Sequence, residues 1–168
     1  MKFIGLIISA LAALGVALNA AAEQPPQFNT LTITGAISSA EDAPVKVDLA
    51  TLKTLPVEQI VTHNPWEEGL HTYTGFNPVD LLEQLDAEGD VLRVTAFNQY
   101  ITEIPLSDFA EHKAIIAYEM DYRPITVRNK GPFIVIYDFD NNAMLRNEAY
   151  YGRSIWQIES IEVLDSGD

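Results

Sequence analysis

The chain contains no cysteine. That one absence removes disulfides, thiolate nucleophiles and thiolate metal ligands together. Histidine is scarce as well: His63, His71 and His112 are the only three, and no two stand one helical turn apart, so a histidine-based zinc site has no footing. Asp138, Asp140 and Asn142 begin a calcium-loop spacing, but Ala143 stands where the loop needs its glycine and Ala149 where it needs its glutamate. Neither a G-x-S-x-G elbow nor a Ser-Lys motif is present, which leaves covalent hydrolysis without a nucleophile. Positive charge is also short. Ten Lys and Arg face 24 Asp and Glu, a formal charge of −14 that repels nucleic acid and anionic lipid and favours solubility.

A long hydrophobic run occurs once, in "MKFIGLIISALAALGVALNAAAEQ". One lysine, an apolar stretch and small residues at Ala20 and Ala22 predict a secretory signal peptide over residues 1–22 with an A-x-A cleavage site. The competing reading is an uncleaved anchor, because about 20 apolar residues span a bilayer. Cleavage leaves a chain of residues 23–168, exported, with nine basic and 24 acidic residues, a net charge of −15 and no direct hold on a membrane. That length fits one domain with an ordinary core and no need of disulfide staples.

Local patterning predicts an α+β fold: a single domain of mixed β-sheets with a few short helices. Strand alternation marks "LTITGAI", "VEQIVTHN", "VLRVTAFNQYITEIP" with a polar interruption at Phe97 to Tyr100, "AIIAYEM" and "IWQIESIEVL". "FIVIYD" is a continuous apolar run, expected as a buried strand. "VDLATLKTLP" reads as a short helix with Asp48 or the residue before it near the N-cap and Pro56 closing it. "NPVDLLEQLDAEGD" reads as another, capped by Asn77, with Pro78 in its first turn, Leu81, Leu82 and Leu85 as its buried stripe and Gly89 at its end. Ser107 is expected to cap a third, and "PWEEGLHTYTGF" and "FDNNAMLRNEAYYGRS" are expected as loops.

Aromatic and polar side chains gather where strands end: Trp66; Phe97, Asn98 and Tyr100; Glu119 and Asp121; Arg153, Ser154 and Trp156. Ring faces with a few amide, carboxylate and guanidinium groups are what a flat, hydrogen-bonding heterocycle requires. For any one ring the plainer account is a large core residue with a polar tip. Five of the nine cations after residue 22, namely Arg123, Arg128, Lys130, Arg146 and Arg153, fall within 31 positions, and they mark an anion site if they converge in space.

Four segments, "TLPVEQIVTHNPWEEGLHTYTGFNPVDLLEQL", "VTAFNQYITEIPLSDF", "IIAYEMDYRPITVRNKGPFIVIYDFD" and "RSIWQIESIEV", resemble in order the short exported members of the sulfite-oxidase-type, oxidoreductase molybdopterin-binding domain family. The most specific elements are Asn98-x-Tyr100, Arg128-x-Lys130-Gly131-Pro132 before the buried strand, and Arg153-Ser-x-Trp156. The resemblance implies that residues 23–168 form a pterin- or molybdopterin-binding-like domain. In the family's enzymes a Cys thiolate ligates molybdenum, and its absence here argues against oxygen-atom transfer. A group of short relatives without Cys resembles periplasmic pterin-binding regulators. The resemblance therefore implies a non-catalytic periplasmic protein that binds a reduced, non-molybdenum pterin. It also implies docking on the periplasmic region of a membrane-bound diguanylate cyclase, phosphodiesterase or sensor kinase in cyclic di-GMP signalling. Under it, Trp66 or Trp156 stacks on the ring, Asn98 and Tyr100 fix its edge or side chain with Phe97 as a further binding residue, Arg153 and Ser154 supply donors, and Glu119 or Asp121 accepts from its amino edge. Arg128 and Lys130 are either remnants of a phosphate-recognising group or loop structure. The alternatives are a small molybdopterin-dependent oxidoreductase lacking the Cys ligand, and an interaction protein with a vestigial pocket.

Overall fold

Alternation builds the first sheet. Strand β1 (Thr30–Gly35) buries Leu31 and Ile33, β5 (Val91–Ala96) buries Leu92, Val94 and Ala96, and β10 (Ile158–Leu164) buries Ile158, Ile161 and Val163. The register places Ile33 beside Ile161 and Ile161 beside Val94, so the apolar faces form continuous rows. With β2 (Val45–Asp48) and β6 (Ile101–Pro105) the strand order is β2-β1-β10-β5-β6, and β1 and β10 run parallel. The computed structural model describes residues 29–38 and 43–165, so the expected leader lies outside the described residues.

The second sheet is built around a strand covered on both faces. β7 (Ile115–Met120) is flanked by β4 (Glu67–Phe76) on one side and by β8 (Arg123–Pro124) and β9 (Ile134–Ile136) on the other, with β3 (Val57–Asn64) outside β4. Ile115 to Tyr118 and all of β9 are buried, as an unbroken apolar run requires. Helices are short: α1 (Leu49–Leu52), α2 (Pro78–Gln84), α3 (Ser107–Glu111) and α4 (Glu148–Arg153), with 3₁₀ turns over Val127–Asn129 and Ala143–Leu145. Asp48 accepts from the Thr51 N–H at 2.8 Å and Asn77 from the Val79 N–H at 3.0 Å, the caps expected from sequence. None of the described helices is long and apolar enough to cross a membrane.

Four local expectations need correction. The stretch expected as a loop at 65–76 is strand from Glu67 onward, and Gly75 serves strand packing there: a Cβ on it would collide with the Ile116 carbonyl of β7. Helix α2 stops at Gln84, with Asp86 turning left-handed (φ 48°) just beyond it, and Gly89, expected to end the helix, lies instead against the Leu164 backbone. Ser107 makes no cap hydrogen bond, and Leu106 holds the N-cap position of α3. The connection at 139–154 contains the second 3₁₀ turn and α4, each opened by an asparagine: Asn142 accepts from the Met144 N–H at 3.1 Å and Asn147 from the Ala149 N–H at 2.9 Å.

The two sheets meet where the chain passes from β9 to β10. Val135 N–H donates to the Ile155 carbonyl (2.9 Å), Gln157 N–H to the Lys130 carbonyl (3.0 Å), and Trp156 bridges to Ile134. The β5–β6 turn docks on the same stretch, with the Phe97 N–H donating to the Gln157 carbonyl at 3.0 Å. Backbone pairing thus brings the β5–β6 turn and the exit of α4 to one corner.

Candidate ligand cleft

Trp66 sits in the turn between β3 and β4 because Asn64 fixes that turn. Asn64 Oδ1 accepts from the N–H of both Trp66 and Glu67 at 3.0 Å, and its Nδ2 donates to Tyr73 Oη at 2.8 Å. The indole meets three other rings edge-on: Trp156 at 5.6 Å and 67°, Tyr151 at 5.9 Å and 83°, and Phe139 at 6.3 Å and 65°. Helix α4 contributes Tyr151 and Gly152. The β5–β6 turn contributes Asn98, whose Oδ1 accepts from the Tyr100 N–H at 3.1 Å, and Tyr100, whose hydroxyl donates to the Gly152 carbonyl at 3.0 Å. Together they form a cleft of about 210 Å³ lined by Trp66, Ala96, Asn98, Tyr100, Tyr151, Gly152, Ser154, Ile155 and Trp156.

Among the described residues, no lining side chain is an acid, a lysine, an arginine or a histidine. Ser154 Oγ donates to the Tyr150 carbonyl at 2.9 Å and keeps lone pairs to accept with. Among the described residues, the two indole N–H groups and the Asn98 amide nitrogen have no protein acceptor, and these are donors. Aromatic carbon with a few uncommitted polar atoms suits a flat, uncharged heterocycle that presents acceptors along one edge.

Of the residues expected at a site, Trp66, Asn98, Tyr100, Ser154 and Trp156 come together here. The others do not line the cleft. Phe97 is half-buried, and its backbone N–H is committed to Gln157. Glu119 pairs with Lys53 at 2.6 Å, and Asp121 is engaged by His71 and by the Thr72 N–H, so neither is placed as an acceptor for a ligand in the cleft. Lys130 pairs with Glu67, the chain neighbour of Trp66, and Arg128 is exposed on the 3₁₀ turn. Arg153, expected as a ligand donor, turns inward: its Nη1 lies 2.9 Å from Asp108 Oδ2, which also accepts from Tyr137 Oη at 2.7 Å. Burial, with Asp108 beside it, pushes the Tyr137 hydroxyl far up from its ordinary value. None of the five clustered cations lines the cleft, and three are held by different acids: Lys130 by Glu67, Arg153 by Asp108, and Arg146 by Asp140 at 3.3 Å, with the Phe139 carbonyl at 2.6 Å.

Sequence reasoning missed Tyr151, Gly152, Ala96 and Ile155. The one available signal was the Tyr150–Tyr151 pair: adjacent helical residues project about 100° apart, so the two rings face different surroundings.

No protein-family model matches the chain, and no curated protein matches it. Among solved structures it is similar to the sulfane dehydrogenase SoxCD from Paracoccus pantotrophus, with a TM-score of 0.59 and 12% identity over 86% of this chain. The chain spans 40% of the length of that protein. The likeness shows the fold, a single α+β domain of mixed sheets with few short helices. A molybdenum-bearing, phosphorylated pterin does not fit this donor set: the chain has no thiolate for the metal, and no lysine or arginine is among the described residues that line the cleft to receive a phosphate.

Proposed function

We propose that this protein is a non-catalytic binding module for a reduced pterin without molybdenum, and that it acts as an exported regulator. The observation that carries the reading is the uncharged, ring-lined cleft in a chain with no thiolate. Trp66 and Trp156 supply stacking area, the Asn98 amide donates to the heterocycle's carbonyl or ring nitrogen, and Ser154 Oγ accepts from its amino group. The leader-like N-terminus supports export to the periplasm. There the loaded protein docks on the periplasmic region of a membrane-bound enzyme of cyclic di-GMP turnover or a sensor kinase, which carries the output.

The test is to purify the protein from its native compartment, denature it, and assay released small molecules by fluorescence and mass spectrometry beside molybdenum analysis. A stoichiometric, metal-free pterin is the expected result. Molybdenum at the same stoichiometry would return the chain to the oxidoreductases. The regulatory half is checked separately: adding loaded protein to native membranes should change cyclic di-GMP turnover, and equal output from loaded and ligand-free protein counts against it.

A further inference from the structure

His71, on β4, is held between two acceptors. Its Nδ1 lies 2.8 Å from Asp121 Oδ2 and its Nε2 lies 2.9 Å from the Glu68 carbonyl. Neither oxygen can donate, so both are hydrogen-bonded only when the ring carries both protons. A neutral ring must turn a lone pair toward one of them. Asp121 is itself fixed, with Oδ1 accepting from the Thr72 N–H at 3.0 Å and its own N–H donating to the Thr72 carbonyl at 2.8 Å. The carboxylate keeps the Nδ1 proton, so deprotonation removes the hydrogen bond from Nε2 to the Glu68 carbonyl.

Glu68 is two residues from Trp66. The intervening Glu67 shares Asn64 Oδ1 with Trp66 and pairs with Lys130, while Asn64 reaches Tyr73 Oη, and the His71 ring lies edge-on to Tyr73 at 6.3 Å. The charged and titratable groups around the imidazole are Glu67, Glu68 and Tyr73 on β4, Asp121 in the β7–β8 turn, and Arg123 beyond it; β3 places uncharged Thr62 opposite.

We propose that protonation of His71 pins the hairpin tip that carries Trp66, so that the cleft is set for its ligand when the ring is charged and loosened when it is neutral. This rests on the cleft being the ligand site and adds a proton as its regulator. The hydrogen bond to Asp121 raises the His71 pKa above its ordinary 6.5. The pinned state is therefore fully favoured below that ordinary value and disappears as pH rises through the higher folded-state value.

The test uses the full protein labelled with 5-fluorotryptophan, with its two fluorine signals assigned through Trp156→Phe. The Trp66 signal should shift with pH at the same midpoint as the His71 imidazole nitrogens. Asp121→Asn should lower that midpoint, and His71→Gln should remove the transition. A Trp66 signal that stays flat while His71 titrates, or that keeps its transition in His71→Gln, overturns the gate. With 7,8-dihydrobiopterin as probe, affinity should fall about three- to tenfold between about pH 6 and about pH 8.5 in the unaltered protein and stay level in His71→Gln. A probe that binds at no pH overturns the pterin reading instead, and the fluorine signals then decide the gate without it.

Discussion

The two faces of α4 and its exit, Tyr150 to Trp156, have opposite chemistry. On one face Arg153 closes on Asp108, and Tyr150 packs edge-on to Tyr137 at 5.3 Å with its hydroxyl 3.1 Å from His112 Nε2. On the other, Tyr151, Gly152, Ser154 and Trp156 line an open cleft with no charge. Residues adjacent in sequence therefore divide between holding the corner together and presenting a surface. Charge is consumed inside the fold, and what remains exposed in the cleft is aromatic and neutral, which favours an uncharged ligand.

Breaking the charged face should have the largest effect. Arg153→Ala leaves the Asp108 carboxylate, whose side chain is 5% exposed, with Tyr137 as its remaining partner, and should cost about 3 kcal/mol in urea denaturation. A variant of unchanged stability that no longer binds ligand would instead place Arg153 in the site. Gly152→Leu acts on the other face: a Cβ there meets only Tyr100 Oη, at 3.7 Å, so a longer side chain projects into the cleft. Pterin affinity should drop by about tenfold or more while the fold persists, and calorimetric titration checks it. Asn98→Asp preserves the acceptor for the Tyr100 N–H but replaces two donors with a negative charge, and should weaken binding by about tenfold with little change in thermal stability.

Much of the fold was legible because period-two burial and capping residues are local signals; β3 matches the expected strand, and Asp48 and Asn77 cap as expected. The hairpin strand β4 was not, because Gly69 and Gly75 read as loop residues until the approach of Ile116 explains one of them. At the site, rings at strand ends were informative, since a large aromatic side chain at a turn has to pack against something from another part of the chain. Charged residues were misleading: Arg153 and Asp108 are 45 positions apart, and nothing local reveals that pair.

Gly152→Ala gives the smallest and most discriminating effect, because its two consequences have opposite signs. Near the end of α4, replacing glycine with alanine restricts the unfolded chain and should raise stability by at most about 1 kcal/mol. The same methyl group narrows the cleft beside Tyr100 and should weaken pterin binding slightly. Thermal denaturation and titration on one preparation measure both. If stability rises and affinity falls, the cleft face of α4 is separable from the packed face; if both fall together, Gly152 belongs to the packing and the division of the helix into two faces is wrong.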